Sequence, residues 1–168
     1  MRKRTKNLAL IVVLMTMGSV AIGQESLKDL VEQEGTDWII GKWKATTDSG
    51  QEIVSTFNWA VNGHAIVTTF KMGDRSSRGL IYFDADAEQV RQFGVDSQGQ
   101  ATQGTWESQD GKAILKTTMR NQQGEATDLA IAYAKVDSTT IKVGVYALEY
   151  GQLADSPWFE MNYKKQKK

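Results

Sequence analysis

The chain has one histidine, His64, and its imidazole has the clearest capacity for chemistry near neutral pH. Such a group can act as a general acid or base, hold a metal ion or meet a carboxylate ligand. His64 follows Asn62-Gly63 directly, at the start of a strand-like run, where a histidine more commonly hydrogen-bonds to its neighbours. A small enzyme using His64 would need a nearby carboxylate that the sequence does not place, so we assign no catalytic residue.

Other features of the sequence narrow the chemistry further. The chain has no cysteine, which excludes a thiolate nucleophile, a disulfide and a cysteine-based zinc site. It also lacks a nucleophile elbow, a P-loop, an H-E-x-x-H motif and a dinucleotide fingerprint. Asp84 and Asp86 have a spacing that suggests calcium or an acid pair, but aspartate is a favoured turn residue. We therefore predict no metal site and no cofactor, and we lean away from catalysis.

Aromatic side chains are the other candidates for binding. The five tryptophans are Trp38, Trp43, Trp59, Trp106 and Trp158. Their rings could stack on a planar ligand, but large aromatic side chains in β domains mostly fill the core. We interpret them as core residues first and as ligand contacts second.

The N-terminal 23 residues have the pattern of a secretory signal peptide: a basic head, an apolar run and the small-residue exit Ala21-Ile22-Gly23. We predict a signal peptide over 1–23, cleavage before Gln24, and a periplasmic or secreted product without a membrane span. Its removal leaves 16 Lys and Arg against 20 Asp and Glu, a formal charge of −4 that argues against nucleic acid as a partner. The C-terminal lysines are interpreted as a solvated tail.

The sequence after the signal peptide predicts a short helix followed by one all-β domain. Residues 24–36 are predicted to hold that helix, with Ser26 as N-cap, an apolar stripe of Leu27, Leu30 and Val31, and Gly35 at its end. Over 37–168, short runs rich in Val, Ile, Thr and aromatics alternate with turn residues. We predict about nine or ten strands in an antiparallel up-and-down barrel, because closure removes the sheet edges. The runs are 38–46, 53–61, 64–72, 79–83, 89–95, 102–108, 113–120, 126–136, 140–148 and 158–164.

Two hairpins predict which residues face the barrel lumen. Asn62-Gly63 and Asp110-Gly111 favour type I′ two-residue turns, and such a turn fixes which residues lie opposite each other. The more apolar face should point inward. The residues predicted on this basis to line a ligand cavity are Phe57, Trp59, His64, Ile66, Thr68, Phe70, Trp106, Leu115, Thr117 and Met119.

A third hairpin, after Ala126–Val136, leaves two registers open. A two-residue turn at Asp137-Ser138 sends Ala130, Ala132, Ala134, Ile141, Val143 and Val145 inward. Small alanines in the lumen would leave room for a ligand. A longer loop instead sends Leu129, Ile131, Tyr133 and Tyr146 inward.

Gly41-Lys42-Trp43, directly after the short helix, resembles the G-x-W signature of lipocalin and wider calycin barrels. The later features are similar to exported bacterial lipocalin-like domains, and the resemblance spans Trp38 to Tyr163. These features are Phe57 to Gly63, Gly79 to Asp84, Gly104-Thr105-Trp106 and Phe159 to Tyr163. The resemblance implies that Gly41 and Trp43 close one end of the barrel, beneath Lys164 or Lys165. Haem-binding calycins supply a late histidine, and this chain has none after His64.

The sequence thus leads to two hypotheses about function. The first is an exported non-catalytic protein that holds a small apolar or amphipathic ligand inside the barrel. The alternative is an envelope structural or interaction module whose barrel is filled and binds no ligand, with a protein partner that the sequence does not identify.

Overall fold

The computed structural model describes residues 26–120 and 124–167. The predicted signal peptide over 1–23 and its cleavage position lie outside the described residues. Helix α1 (Leu27–Gln33) lies within the segment 24–36 where a short helix is predicted, and a 3₁₀ turn (Asp37–Ile39) leads into the sheet. The strands are β1 (Gly41–Thr46), β2 (Glu52–Ala60), β3 (Ala65–Met72), β4 (Arg75–Asp84), β5 (Gln89–Asp96), β6 (Ala101–Gln109), β7 (Lys112–Arg120), β8 (Ala126–Lys135), β9 (Thr140–Glu149), β10 (Gln152–Leu153) and β11 (Phe159–Lys165).

The strands close into a barrel. From β1 to β9, each strand pairs antiparallel with the next one in the chain. Strand β11 pairs with both β9 and β1, so ten strands of the described residues form a ring, while the short β10 extends the edge of β9. The seam between β1 and β11 has two paired positions, Trp43 with Lys165 and Lys44 with Lys164. The predicted fold class, an antiparallel up-and-down barrel with a short N-terminal helix, is confirmed.

Helix α1 lies against one end of the barrel, which we call the capped end. This end carries the β2–β3 turn, and a Cβ added at Gly63 in that turn would lie 3.1 Å from Cβ of Lys28 on α1. The β4–β5, β6–β7 and β8–β9 turns lie at the same end, because alternate turns of an up-and-down barrel share an end. The capped end is therefore where α1 meets the lumen.

The Asn62-Gly63 and Asp110-Gly111 hairpins both have the predicted register. In the β2–β3 turn, Asn62 and Gly63 have φ values of 53° and 87°, as a type I′ turn requires, and Trp59 lies opposite Ile66. In the β6–β7 turn, Asp110 and Gly111 have φ values of 52° and 73°, and Trp106 pairs with Leu115.

The β8–β9 register corrects the first prediction for this hairpin. Strand pairing places Lys135 opposite Ile141, so the connection is longer than two residues. Asp137 Oδ1 accepts hydrogen bonds from the Thr139 N–H (2.7 Å) and hydroxyl (2.9 Å), which stabilise the longer loop. The shift moves every β8 side chain to the opposite face, so Leu129, Ile131 and Tyr133 face the lumen and the alanines face outward.

On β9 the outcome is mixed. Ile141 and Val143 belong to the lumen core, as the two-residue turn predicts, so the expectation that Tyr146 faces inward is wrong. Tyr146 instead covers buried residues on the outer wall. This outer cluster consists of Ile114, Ala130 and Ala132 beneath Tyr146, Leu148 and Leu153. Lys116 Nζ donates to the Gly151 carbonyl (3.0 Å) and so ties the β9–β10 turn to the same wall.

The lumen core extends from α1 to the first and last strands. Its buried members are Leu27, Ile39, Trp43, Ala45, Ile53, Phe57, Ile66, Ile81, Ala113, Ile141, Val143 and Tyr163. Burying each large apolar side chain contributes about 1.5–3 kcal/mol, so this core is the main stabilising element of the fold.

Candidate functional site

Helix α1 covers the lumen at the capped end. Its first turn is fixed by a capping box, in which the Asp29 N–H donates to the Ser26 hydroxyl (3.2 Å) and the Ser26 N–H donates to the Asp29 carboxylate (3.1 Å). The Ser26 hydroxyl also donates to the Asp29 carboxylate (2.7 Å), and this hydrogen bond, together with that from the Ser26 N–H, holds the pKa of Asp29 below its usual value. The apolar stripe of the helix turns toward the barrel, and Leu27 is buried.

Between α1 and the lumen lies an apolar cavity of about 90 Å³. Leu27, Leu30 and Val31 of α1 form its cover. The barrel wall of the cavity consists of Phe57, Ile66, Ile81, Val90, Trp106 and Ala113, with Glu34, Thr36, Ile39, Glu107 and Ser108 completing the lining. This composition suits an apolar group, with a few polar side chains beside it.

Three aromatic rings pack together beside this cavity. The Phe57 ring meets Trp106 edge to face with centroids 6.3 Å apart, and it meets Tyr133 in the same way at 5.6 Å. Trp106 and Tyr133 stack at 5.6 Å, and Trp106 Nε1 donates to Gln92 Oε1 (3.0 Å). Each aromatic pair contributes about 0.5–1.5 kcal/mol beyond area burial, so the rings form a rigid wall.

The lumen also contains tyrosine hydroxyls in an apolar setting. Burial raises the pKa of Tyr163 to about 12, because the phenolate would lose its hydration. The pKa of Tyr133 is raised still further, first by burial and then by the neighbouring Tyr163. Both side chains are therefore neutral across the physiological range.

The predicted cavity residues divide into two groups. Phe57, Ile66 and Trp106 line the cavity. Leu115 is buried, and Trp59 and Phe70 pack against the lumen core, but none of the three lines the cavity. Thr68 and Thr117 are also outside its lining; the Thr117 hydroxyl donates to the Gln103 carbonyl (2.7 Å). Met119 lies near the opposite end of the barrel and is 50 % exposed.

His64 does not face the lumen, which corrects the predicted position of this residue. It is exposed, and its backbone lies in the right-handed helical region (φ −85°, ψ −12°) rather than in a strand conformation. Its turn partner Val61 also departs from the strand, with φ 49°. The alternation of faces ends at Ala60 and Ala65, so the inward pattern does not extend to His64.

Trp43, for which the G-x-W resemblance implies a role in closing the barrel, is buried near the start of β1. The indole is 1 % exposed, and its Nε1 donates to the Ile39 carbonyl (2.7 Å). Of the two lysines that the sequence leaves open, Lys165 lies over the ring, with Nζ 5.0 Å from its centroid. Gly41 has φ 136°, and a Cβ there would lie 2.9 Å from Cε of Lys165. A glycine at this position lets the lysine cross the indole.

Sequence reasoning missed most of the cavity lining, which includes the cover from α1 and half of the barrel wall. The stripe on α1 is visible in the sequence, but no local pattern says that it covers a barrel end. Ile81 and Val90 were recoverable in principle, because strand pairing places Ile81 opposite Ile66, and Val90 opposite Trp106.

Among residues 26–120 and 124–167, no three His, Cys, Asp or Glu side chains are grouped so as to hold a metal ion. Within the same residues, no helix is long and apolar enough to cross a membrane. Comparison of the chain with protein-family models and with curated proteins found no match.

Proposed function

We propose that this chain is an exported lipocalin-like binding protein that holds a small apolar or amphipathic ligand beneath α1 and performs no catalysis. The observation that carries the proposal is the apolar cavity between the helix stripe and the lumen wall. The closed barrel and the lysine over Trp43 support the lipocalin-like assignment. The basic head, apolar run and small-residue exit of residues 1–23 support export.

The size of the cavity limits how a ligand is held. Sites for drug-sized ligands have volumes of about 300–1,000 Å³, whereas this cavity has about 90 Å³. The closed form therefore accepts a group of only a few atoms. A larger ligand requires α1 to move away, with Gly35 (φ 63°) as the pivot at the end of the helix. Apolar parts of the ligand would then replace the stripe of α1 against Phe57, Ile66 and Trp106.

The test fills the cavity and measures binding of a neutral apolar probe. N-phenylnaphthylamine should bind the purified protein in the micromolar range and quench tryptophan emission. Ala113→Leu, which places a larger side chain in the cavity wall, should weaken binding about 10-fold or more. Ala126→Leu, an exposed alanine on β8, is the matched control and should leave binding unchanged. Equal affinity in both variants would reject a site beneath α1.

A second candidate is an envelope structural or interaction module with a filled barrel. The packed rings of Phe57, Trp106 and Tyr133 favour it, as does the tight contact at Gly104, where a Cβ would lie 2.7 Å from Cδ1 of Leu115. An empty organic-solvent extract and no probe binding, together with a lower unfolding midpoint for Trp106→Ala, would favour this candidate over a ligand-binding role.

Export has its own test. The N-terminal sequence of the protein recovered from the periplasm or medium should begin at Gln24, and its mass should match a chain that lacks residues 1–23. A recovered product that still begins at Met1 would contradict the proposed cleavage.

A further inference from the structure

The outer wall of the barrel holds a larger concavity than the lumen. A groove of about 540 Å³ runs across the outside of the sheet from β4 to β9. We call it the outer groove, and its defining side chains are Tyr82, Arg91, Phe93, Gln103, Lys116 and Asp128. Its volume lies within the range of small-molecule sites, which the cavity beneath α1 does not reach.

Strand pairing explains why these side chains lie together. Tyr82 is opposite Arg91, and Phe93 is opposite Gln103, so the two pairs form neighbouring rows on one face. The groove crosses five strand spacings of about 4.8 Å, a width of roughly 24 Å along the wall. An extended ligand matches this shape better than a compact one.

The cations in the groove are already neutralised. Arg91 Nε lies 3.1 Å from Asp84 Oδ2, and Lys116 Nζ lies 2.8 Å from Glu107 Oε1. A third carboxylate, Asp128, accepts a hydrogen bond from the Thr118 hydroxyl (2.6 Å). The groove therefore has no excess of positive charge to attract a phosphate or another polyanion.

The groove nonetheless offers unused hydrogen-bonding groups beside aromatic rings. The Gln103 side chain is exposed and makes no hydrogen bond within the described residues. The Arg91 side chain is 43 % exposed beside its ion pair with Asp84. Phe93 is 45 % exposed, and Tyr82 lies in the next row. Amides, carboxylates and guanidinium groups form hydrogen bonds with the hydroxyl groups of a hydroxyl-rich ligand, while aromatic rings pack against its C–H surfaces.

We propose that the outer groove binds a neutral oligosaccharide. The sugar chain lies across β4 to β9, with one pyranose face against Phe93 and Tyr82. Gln103, Arg91 and Asp128 contact its hydroxyl groups. This site is separate from the cavity beneath α1 and does not depend on it.

The experiment is an NMR titration of the isotopically labelled protein with maltohexaose, cellohexaose and laminarihexaose, each to about 10 mM, a range that detects millimolar Kd values. At least one sugar should produce saturable shifts of the Arg91, Phe93 and Gln103 amides. The double variant Phe93→Ala and Gln103→Ala should weaken that binding about 10-fold or more. Gln89→Ala, an exposed glutamine on the same strand as Phe93 but outside the groove, should bind as the unaltered protein does.

Three results would overturn the proposal. The first is the absence of saturable shifts with all three sugars, and the second is shifts confined to other parts of the protein. The third is binding of inositol hexakisphosphate at the groove with no response to the sugars, which would indicate an anion site. Ala113→Leu, which alters the cavity beneath α1, should leave sugar binding at the outer groove unchanged. The sugar titration and the apolar-probe titration therefore test the two proposed sites separately.

Discussion

The lumen core and the outer cluster are both buried, but aromatic rings dominate the lumen core, whereas two of the three buried residues of the outer cluster are alanines. The lumen carries the large rings of Trp43, Phe57, Trp106 and Tyr133, whereas the outer cluster has Ala130 and Ala132 at its base. The small residues lie outside because Tyr146, Leu148 and Leu153 fold down over them. In these strands, a small residue therefore indicates that a larger side chain packs closely over it. It does not indicate which face of the strand points into the lumen.

The strongest way to break this comparison is to remove the largest buried ring. Trp43→Ala should lower the free energy of unfolding by about 3–5 kcal/mol, because it leaves a cavity and removes the hydrogen bond to Ile39. Urea unfolding followed by circular dichroism measures the effect. Trp158→Ala, at a position that is 61 % exposed, should change the free energy of unfolding by less than about 1 kcal/mol. Equal losses in the two variants would mean that burial of the Trp43 ring does not stabilise the fold.

The outer cluster can be tested by overpacking. Ala130→Leu should destabilise the protein by about 1–3 kcal/mol, because Ala130 is fully buried beneath side chains on the outer wall. The matched change on the same strand, Ala126→Leu, lies at an exposed position and should be close to neutral. If Ala130 faced a roomy lumen instead, leucine would be tolerated there, so a neutral or stabilising result contradicts the observed register.

Alkaline pH probes the lumen without changing its volume. The pKa of Tyr163 is about 12 in the folded protein, against 10.0 for a free tyrosine, so the unfolded chain releases this proton first. The stabilisation is complete below pH 10 and is lost as the pH rises toward 12. The fall in unfolding free energy over that window should be smaller in Tyr163→Phe by on the order of 1 kcal/mol. Tyr150→Phe, at a fully exposed position, should show the same pH dependence of the unfolding free energy as the unaltered protein. If Tyr163→Phe shows that same dependence as well, Tyr163 does not contribute to the alkaline loss of stability.

The smallest expected effect concerns the loop that sets the β8–β9 register. The hydrogen bonds from Thr139 lower the pKa of Asp137 to about 2, so its stabilising contribution is present above pH 4 and is lost as the pH falls toward 2. Asp137→Asn should lower the thermal midpoint slightly at pH 7 and should flatten this acid dependence. Asp48→Asn is the control at another exposed turn. An unchanged acid profile in Asp137→Asn would show that this loop does not depend on the carboxylate.

The parts of the fold that could be predicted are those set by local geometry. Asn62-Gly63 allows positive φ at successive residues, so one turn determines the pairing of all of β2 with β3. The β8–β9 hairpin has no such signal. Its loop depends on the Asp137 hydrogen bonds to Thr139, and a change of one residue in loop length reverses the faces of the strand.

The apolar pattern predicts a strand boundary wrongly where the terminal residues of the strand are polar. Strand β4 begins at Arg75, although the apolar pattern starts only at Gly79, because its first residues, Arg75 to Arg78, are polar or charged. Conversely, Trp38 belongs to a 3₁₀ turn, although the aromatic and isoleucine run there suggests a strand.

The candidate site was predictable only in part. Phe57, Ile66 and Trp106 follow from hairpin register, but the cover by Leu30 depends on how α1 docks. Cavity volume and the outer groove arise from side chains contributed by many strands, which no local pattern contains.

The seam between β1 and β11 joins the first and last strands of the ring through two paired positions. Every other strand of the ring pairs with its neighbours in the chain or with a strand that lies one short strand away, but this junction forms only after β11 has been synthesised. A polypeptide halted before Phe159 would leave β1 with one bare edge and β9 with most of another, the kind of surface that recruits other chains into aggregates.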